Sequence, residues 1–154
     1  MIRIAHEPFD PAAELAAFAR DRTDVGGIAT FLGRVREEHA GERILAMTLE
    51  HFPGMTERQL ARLEAEARAR WPLLDVLVVH RVGRMLPGEP IVLVATASAH
   101  RAAALEACSF LIDWLKTKAP FWKLEETPAG ERWVEAREAD EAAAARWVRG
   151  PLER

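Results

Sequence analysis

An apolar run, IVLVATA at 91–97, passes with no linker into a stretch of helical periodicity, SAHRAAALEACSFLIDWLKTK at 98–118, which Pro120 closes. A strand this apolar must be covered on both faces or nearly so, and the helix that follows it directly is placed to cover one of them. Ser98 suits the N-cap of that helix, and Leu105, Cys108, Ile112 and Leu115 recur at spacings of three and four as a core-facing stripe. The residue before a proline avoids the α region, so the helix ends by Ala119. Lys116 and Lys118 fall in its last turn. Lys123 follows in FWKLE, where the aromatic pair suggests a strand, so Lys116 and Lys123 are expected on opposite sides of a proline-rigid corner.

The other end of this helix is also cationic. His100 and Arg101 fall in its first turn, where unpaired N–H groups and the positive end of the helix dipole favour anions. Basic residues there are locally unfavourable, and two in a row suggest that something negative binds between them and the N–H groups.

Around this unit the chain reads as one α+β domain. Ile2 and Ile4 alternate with Arg3 and Ala5 as a short strand, and Asp10-Pro11 starts a helix reaching about Arg20, with Leu15 and Phe18 inward. Val25 to Leu32 is a strand. Gly33 to Gly41 reads as a polar loop in which Arg34 or Arg36 can reach an anion. Ile44 to Phe52 is a strand with Leu45, Met47 and Leu49 inward, Pro53-Gly54 turns the chain, and Thr56 caps a helix to about Arg70. Leu73 to Val82 is a strand and Arg84 to Pro90 a hairpin loop. Beyond the Pro120 corner, two strands flank Thr127-Pro128-Ala129-Gly130, and Glu138 to Trp147 is a last helix. The domain is expected to span 1–148, with 149–154 a frayed tail. Helices pack on one side of a mainly antiparallel sheet.

Lys plus Arg number 21 and Asp plus Glu 24, a net charge of −3, which argues against a nucleic-acid protein. A local basic site in a mildly acidic chain points instead to a small anionic ligand. The single cysteine, Cys108, can form neither an internal disulfide nor a cysteine metal cluster, and its place on the apolar stripe makes it a packing residue. No two of the five histidines share a helix at ligand spacing, and no phosphate-binding glycine loop or nucleophile elbow is present. No signal peptide and no membrane-spanning run is visible, so a soluble cytoplasmic protein is expected. What remains is a cationic constellation of Arg36, His100, Arg101, Lys116 and Lys123, with Glu125 as an orienting carboxylate. Clustered cations depress a lysine pKa and stabilise negative charge developing in a transition state. The residues by themselves reach as far as binding of a phosphate-bearing small molecule.

The wording of the chain goes further. HRAAALEACSFLIDWLKTKAPFWKLE, FLGRVR at 31–36, LEHFPGMTE at 49–57, RWPLLDVLVVHRVGRMLPGEPIVLVA at 70–95 and GERWVEAR at 130–137 closely resemble the catalytic (large) subunit of molybdopterin synthase, from Ile2 to about Trp147. The resemblance implies an α/β hammerhead fold and conversion of cyclic pyranopterin monophosphate to molybdopterin, with no metal or cofactor of its own. Sulfur would arrive as a C-terminal thiocarboxylate on the Gly-Gly tail of a small ubiquitin-like partner. The assembly implied is a homodimer with one small subunit at each end. The family's two active-site lysines fall on Lys116 and Lys123. Its substrate-binding residues fall on Arg36, His100, Arg101 and the segment from Lys123 to Glu125. Arg34 stands where the family usually has lysine, which keeps the charge. Arg137 in WVEAR joins the set, and whether it serves the other subunit's site stays open.

Two rival readings stand beside this one. One is a non-catalytic phosphate- or pterin-binding module that keeps the pocket without the reaction. The other is a structural interaction domain whose basic residues only complement helix dipoles. Turnover with a thiocarboxylated partner separates the first from an enzyme, and retained function after loss of both lysines would favour the second.

Overall fold

The computed structural model describes residues 1–134 and 138–148. Arg137 and the 149–154 tail lie outside the described residues. In chain order the elements are β1 (Ile2–Ala5), α1 (Pro11–Ala17), β2 (Gly27–Arg34), β3 (Glu38–His39), β4 (Glu42–Arg43), β5 (Ala46–His51), α2 (Met55–Arg70), β6 (Leu73–Arg81), β7 (Gly83–Met85), β8 (Pro90–Ser98), α3 (Arg101–Leu115), β9 (Phe121–Thr127), β10 (Gly130–Val134) and α4 (Glu138–Ala145). The α+β class is as expected. Its strands, however, form two four-stranded sheets, ordered β1-β6-β8-β2 and β10-β9-β5-β7, beside the small β3-β4 ladder. Only the β1–β6 pairing is parallel among the described strands.

The apolar run on β8 is explained by its place in the first sheet. It pairs with β2 on one side and β6 on the other, and both of its faces are covered. On one face Val92 and Val94, with Val76 and Val78 of β6, meet Leu60, Leu63 and Ala67 of α2 and Ala104, Cys108, Leu111 and Leu115 of α3. On the other, Leu93, Ala95 and Ala97, with Leu77 and Val79, meet Phe18 just after α1. Burying one such aliphatic side chain contributes roughly 1.5–3 kcal/mol, so this double-faced layer holds much of the stability. The second sheet has its own smaller core of Val35, Ile44, Met47, Leu49 and Met85.

Several local expectations are corrected. Ser98 does not cap α3. It is the last residue of β8, paired to Gly27 and Leu73, and its hydroxyl donates to the Pro72 carbonyl at 2.9 Å. Ladder pairing on both sides competes with capping and wins, so the N-cap is His100, without a side-chain cap bond. Leu105 is 59% exposed, because the buried stripe runs through Ala104, Ala107, Cys108, Leu111 and Leu115, about 100° round the helix from it. Leu45 precedes β5 and is exposed. Thr56 is not a cap either. Gly54, at φ 84, takes that position, its N–H donating to Glu57, while the buried Thr56 hydroxyl donates to the Phe52 carbonyl. The Asp10 start is as expected, its carboxylate accepting from the N–H groups of Ala12 and Ala13. The segments expected as loops at 33–41 and 84–90 each contain strand: the end of β2 and β3 in the first, most of β7 in the second.

Candidate active site

The corner after α3 is built by a tightening of the last turn. The N–H groups of Lys116, Thr117 and Lys118 donate back to Ile112 and Trp114 carbonyls, and Pro120 then sends the chain into β9. Lys116 thus stands at the helix end. Lys123 and Glu125 are two apart on β9, which puts both side chains on one face of the strand. That face closes a cavity of about 400 Å³ between the two sheets. Arg34 and Arg36 reach it from the end of β2, where the register against β8 shifts between Gly33 and Arg34. His39, His80 and Asp140 complete its polar lining.

Of the residues expected at the site, the cavity therefore gathers Arg34, Arg36, Lys116, Lys123 and Glu125. It does not gather His100 and Arg101. These begin α3 and Lys116 follows its end, so a helix of 15 residues, roughly 20 Å long, separates them. One chain does not hold the whole constellation in one place. Lys118 is exposed and outside the lining.

The charges inside the cavity act on one another. Burial holds the Lys123 ammonium below its ordinary pKa, the Lys116 charge adds to this and so, more weakly, does Arg36, while Asp140 and Glu125 oppose it. Burial pulls His80 down to about 4, and the charges of Lys123 and Lys116 push the same way. His80 is therefore neutral at pH 7. Its Nδ1 donates to the Arg81 carbonyl at 2.9 Å, leaving Nε2 as an acceptor, and its ring stacks on Phe121 with centroids 4.0 Å apart. Glu125, 5% exposed, accepts from His39 and Arg132.

His80, His39, Arg132 and Asp140 were not anticipated from sequence. A histidine inside the apolar run LLDVLVVHR was the visible signal for His80, since a buried imidazole needs a partner. The other three are brought in by tertiary pairing that leaves no local pattern.

None of the described lining residues is Ser, Thr or Cys. Burial pushes the Cys108 thiol up to about 11, which keeps it protonated and unreactive, and it lies outside this cavity. Among the described residues no group of three or more His, Cys, Asp or Glu could hold a metal ion. No helix there is long and apolar enough to cross a membrane. The arrangement can bind an anion, stabilise charge that develops on it, and exchange a proton through a lysine tuned towards neutral pH. Its described lining supplies no hydroxyl or thiol nucleophile.

Comparison with known proteins bears on what that anion is. The family model described as "MoaE protein" matches residues 4–118. The molybdopterin synthase catalytic subunit of Pseudomonas aeruginosa is 52% identical over 146 residues, covering 95% of this chain and 97% of that one. The subunit of the same name from Escherichia coli is 51% identical, with coverages of 95% and 97%. A solved structure, the molybdopterin biosynthesis MoaE protein from Burkholderia ambifaria, matches with a TM-score of 0.82 at 52% identity, covering 97% of this chain and 98% of that one.

Proposed function

The chain belongs to the MoaE protein family and is homologous over nearly its whole length to molybdopterin synthase catalytic subunits, and from that premise we propose the chemistry of its cavity. The protein is an enzyme of molybdenum cofactor biosynthesis. It transfers sulfur from the C-terminal thiocarboxylate of a small ubiquitin-like subunit to cyclic pyranopterin monophosphate, twice, forming the dithiolene of molybdopterin. The observation that carries this reading is a cavity with two lysines, one of them held below its ordinary pKa, and no hydroxyl or thiol in its described lining.

Each delivered sulfur replaces an oxygen substituent on the substrate side chain. The acyl–sulfur bond to the carrier is then cleaved by water, which leaves a carboxylate on the carrier and the sulfur on the product. Arg36 lines the cavity as a binding group for the substrate's anionic group, and opening of the cyclic phosphate releases negative charge, which Lys116 and Lys123 are placed to stabilise. Lys123, shifted towards neutral pH, is suited to move a proton in one of these steps. An extended Gly-Gly tail is thin enough to enter where a folded domain cannot, and its terminal charge is attracted by the same lysines.

The assembly is two plus two, a homodimer with one carrier at each end. Phe31 on edge strand β2 and Leu105 on α3 are exposed on the α3 side of the sheet, Ile28 and Leu32 are exposed on the opposite face of the same strand, and an apolar sheet edge of this kind suits a second copy. Phe31 and Leu32 also line the cavity, so a second copy seated there would border the site. His100 and Arg101, remote from Lys116 in their own chain, would then serve the partner's cavity. Mixing this protein with a thiocarboxylated small subunit and cyclic pyranopterin monophosphate tests the reading. Dithiolene formation is expected, and its absence with both components intact would overturn it.

A further inference from the structure

Glu125 faces a cavity built for an anion, yet its carboxylate is already engaged. His39 Nδ1 lies 2.9 and 3.0 Å from its two oxygens, and Arg132 Nε donates to it at 3.0 Å. Arg132 Nη2 also donates to the His39 carbonyl at 2.9 Å. Side chain and backbone of His39 are thus both fixed to the β9–β10 hairpin, whose Glu125 lies 86 residues further along the chain. A two-residue ladder such as β3–β4 has little stability of its own, and this triad supplies the anchor.

Arg36 lies between that anchor and a second one. Val35 is buried, its N–H donates to the Glu89 carbonyl and its own carbonyl accepts from Gly88, while the Glu37 carbonyl accepts from Ile44. Arg36 itself makes no hydrogen bond or ion pair with the described residues, so its place at the cavity is set by the backbone on either side of it.

We propose that His39, Glu125 and Arg132 form a clamp that holds Arg36 over the cavity for the substrate's anionic group, which makes His39 and Arg132 positioning residues for the reaction. The proposal rests on the sulfur-transfer reading above for its substrate, and it reassigns Glu125. A carboxylate already engaged by two donors acts on the substrate through Arg36 rather than by direct contact with a phosphate, which it would repel.

The test uses the full complex with the thiocarboxylated small subunit. His39→Ala is expected to raise KM for cyclic pyranopterin monophosphate roughly tenfold while kcat stays within about twofold, and His39→Gln, which keeps a donor, to restore most of the loss. In an Arg36→Ala background, His39→Ala should add almost nothing, because the two act on one interaction. Arg132→Gln provides the same comparison if His39→Ala fails to fold. An unchanged KM in a folded His39→Ala protein would overturn the clamp, and so would a full multiplicative loss on top of Arg36→Ala. Binding of inorganic pyrophosphate to the same variants, read by calorimetry, separates the two levels. The same non-additive pattern in affinity without turnover by wild type would leave the clamp standing and remove the reaction. Additive losses in affinity would remove the clamp whatever the turnover.

Discussion

At the scale of single residues, the cavity is a set of charges that tune one another. Lys116 is exposed and adds to the forces lowering the Lys123 pKa, second only to burial. Lys116→Ala should therefore have two effects. Product formation should fall by at least about 100-fold while the fold is kept, since an exposed side chain at a helix end costs little to remove. The Lys123 ammonium should also titrate higher than in wild type, which heteronuclear NMR of the lysine side chains can read. An unmoved Lys123 titration would mean that the two charges do not share the cavity. His80 gives a second test. Its pKa is about 4 in the folded chain against 6.5 unfolded, so between those values the unfolded chain takes up a proton that the folded one refuses. Stability from this group is complete above pH 6.5 and is lost as pH falls towards 4, by a total on the order of 3 kcal/mol. Chemical denaturation from pH 7 to 4 should show a smaller decline for His80→Gln than for wild type.

At the scale of elements, the passage from β8 into α3 is packed closely against the start of β2. A Cβ on Gly26 would sit 2.1 Å from the Ala99 carbonyl oxygen, a backbone atom with no flexible end to move aside. Gly26→Ala should then destabilise the protein by about 1–3 kcal/mol, visible as a lower denaturation midpoint, and should loosen the start of α3 where His100 and Arg101 stand. This joint also shows what the sequence could and could not convey. The strand, the helix, the Pro120 corner and the pair Lys116/Lys123 were all legible, because apolar periodicity and a proline stop are local signals. Ser98 was misread because its hydroxyl looks the same whether it faces a helix start or the Pro72 carbonyl. Leu105 was misread because one apolar residue beside a stripe of small ones shifts the inferred face. His100 and Arg101 were correctly seen as a cationic helix start, and the length of α3 is what holds them away from the Lys116 cavity of their own chain. His39 and Arg132 carried no local signal, since only the pairing of distant hairpins brings them to Glu125.

At the scale of the molecule, the separation of His100 and Arg101 from Lys116 makes a prediction about assembly. If each cavity draws those two residues from a second copy, Lys116→Ala and Arg101→Ala chains, each inactive alone, should complement when mixed and allowed to exchange. Half of the dimers would be mixed and each would own one intact cavity, so roughly a quarter of wild-type activity should return. No recovery after demonstrated exchange would place all the working residues within one chain.

The lining of the cavity comes from positions as far apart as Arg34 and Asp140, with His80, Lys116 and Lys123 between them. Such a site has no early draft. On the ribosome, a nascent chain long enough to form the first sheet and α3 still lacks β9 and α4, and therefore lacks Lys123, Glu125 and Asp140. The cavity is complete only with the last helix and is not built up stepwise as the chain grows. The same dependence acts in reverse under stress. A substitution far from the cavity that lowers global stability should cut the number of working molecules and leave each survivor at full speed, so cofactor output would track the folded population.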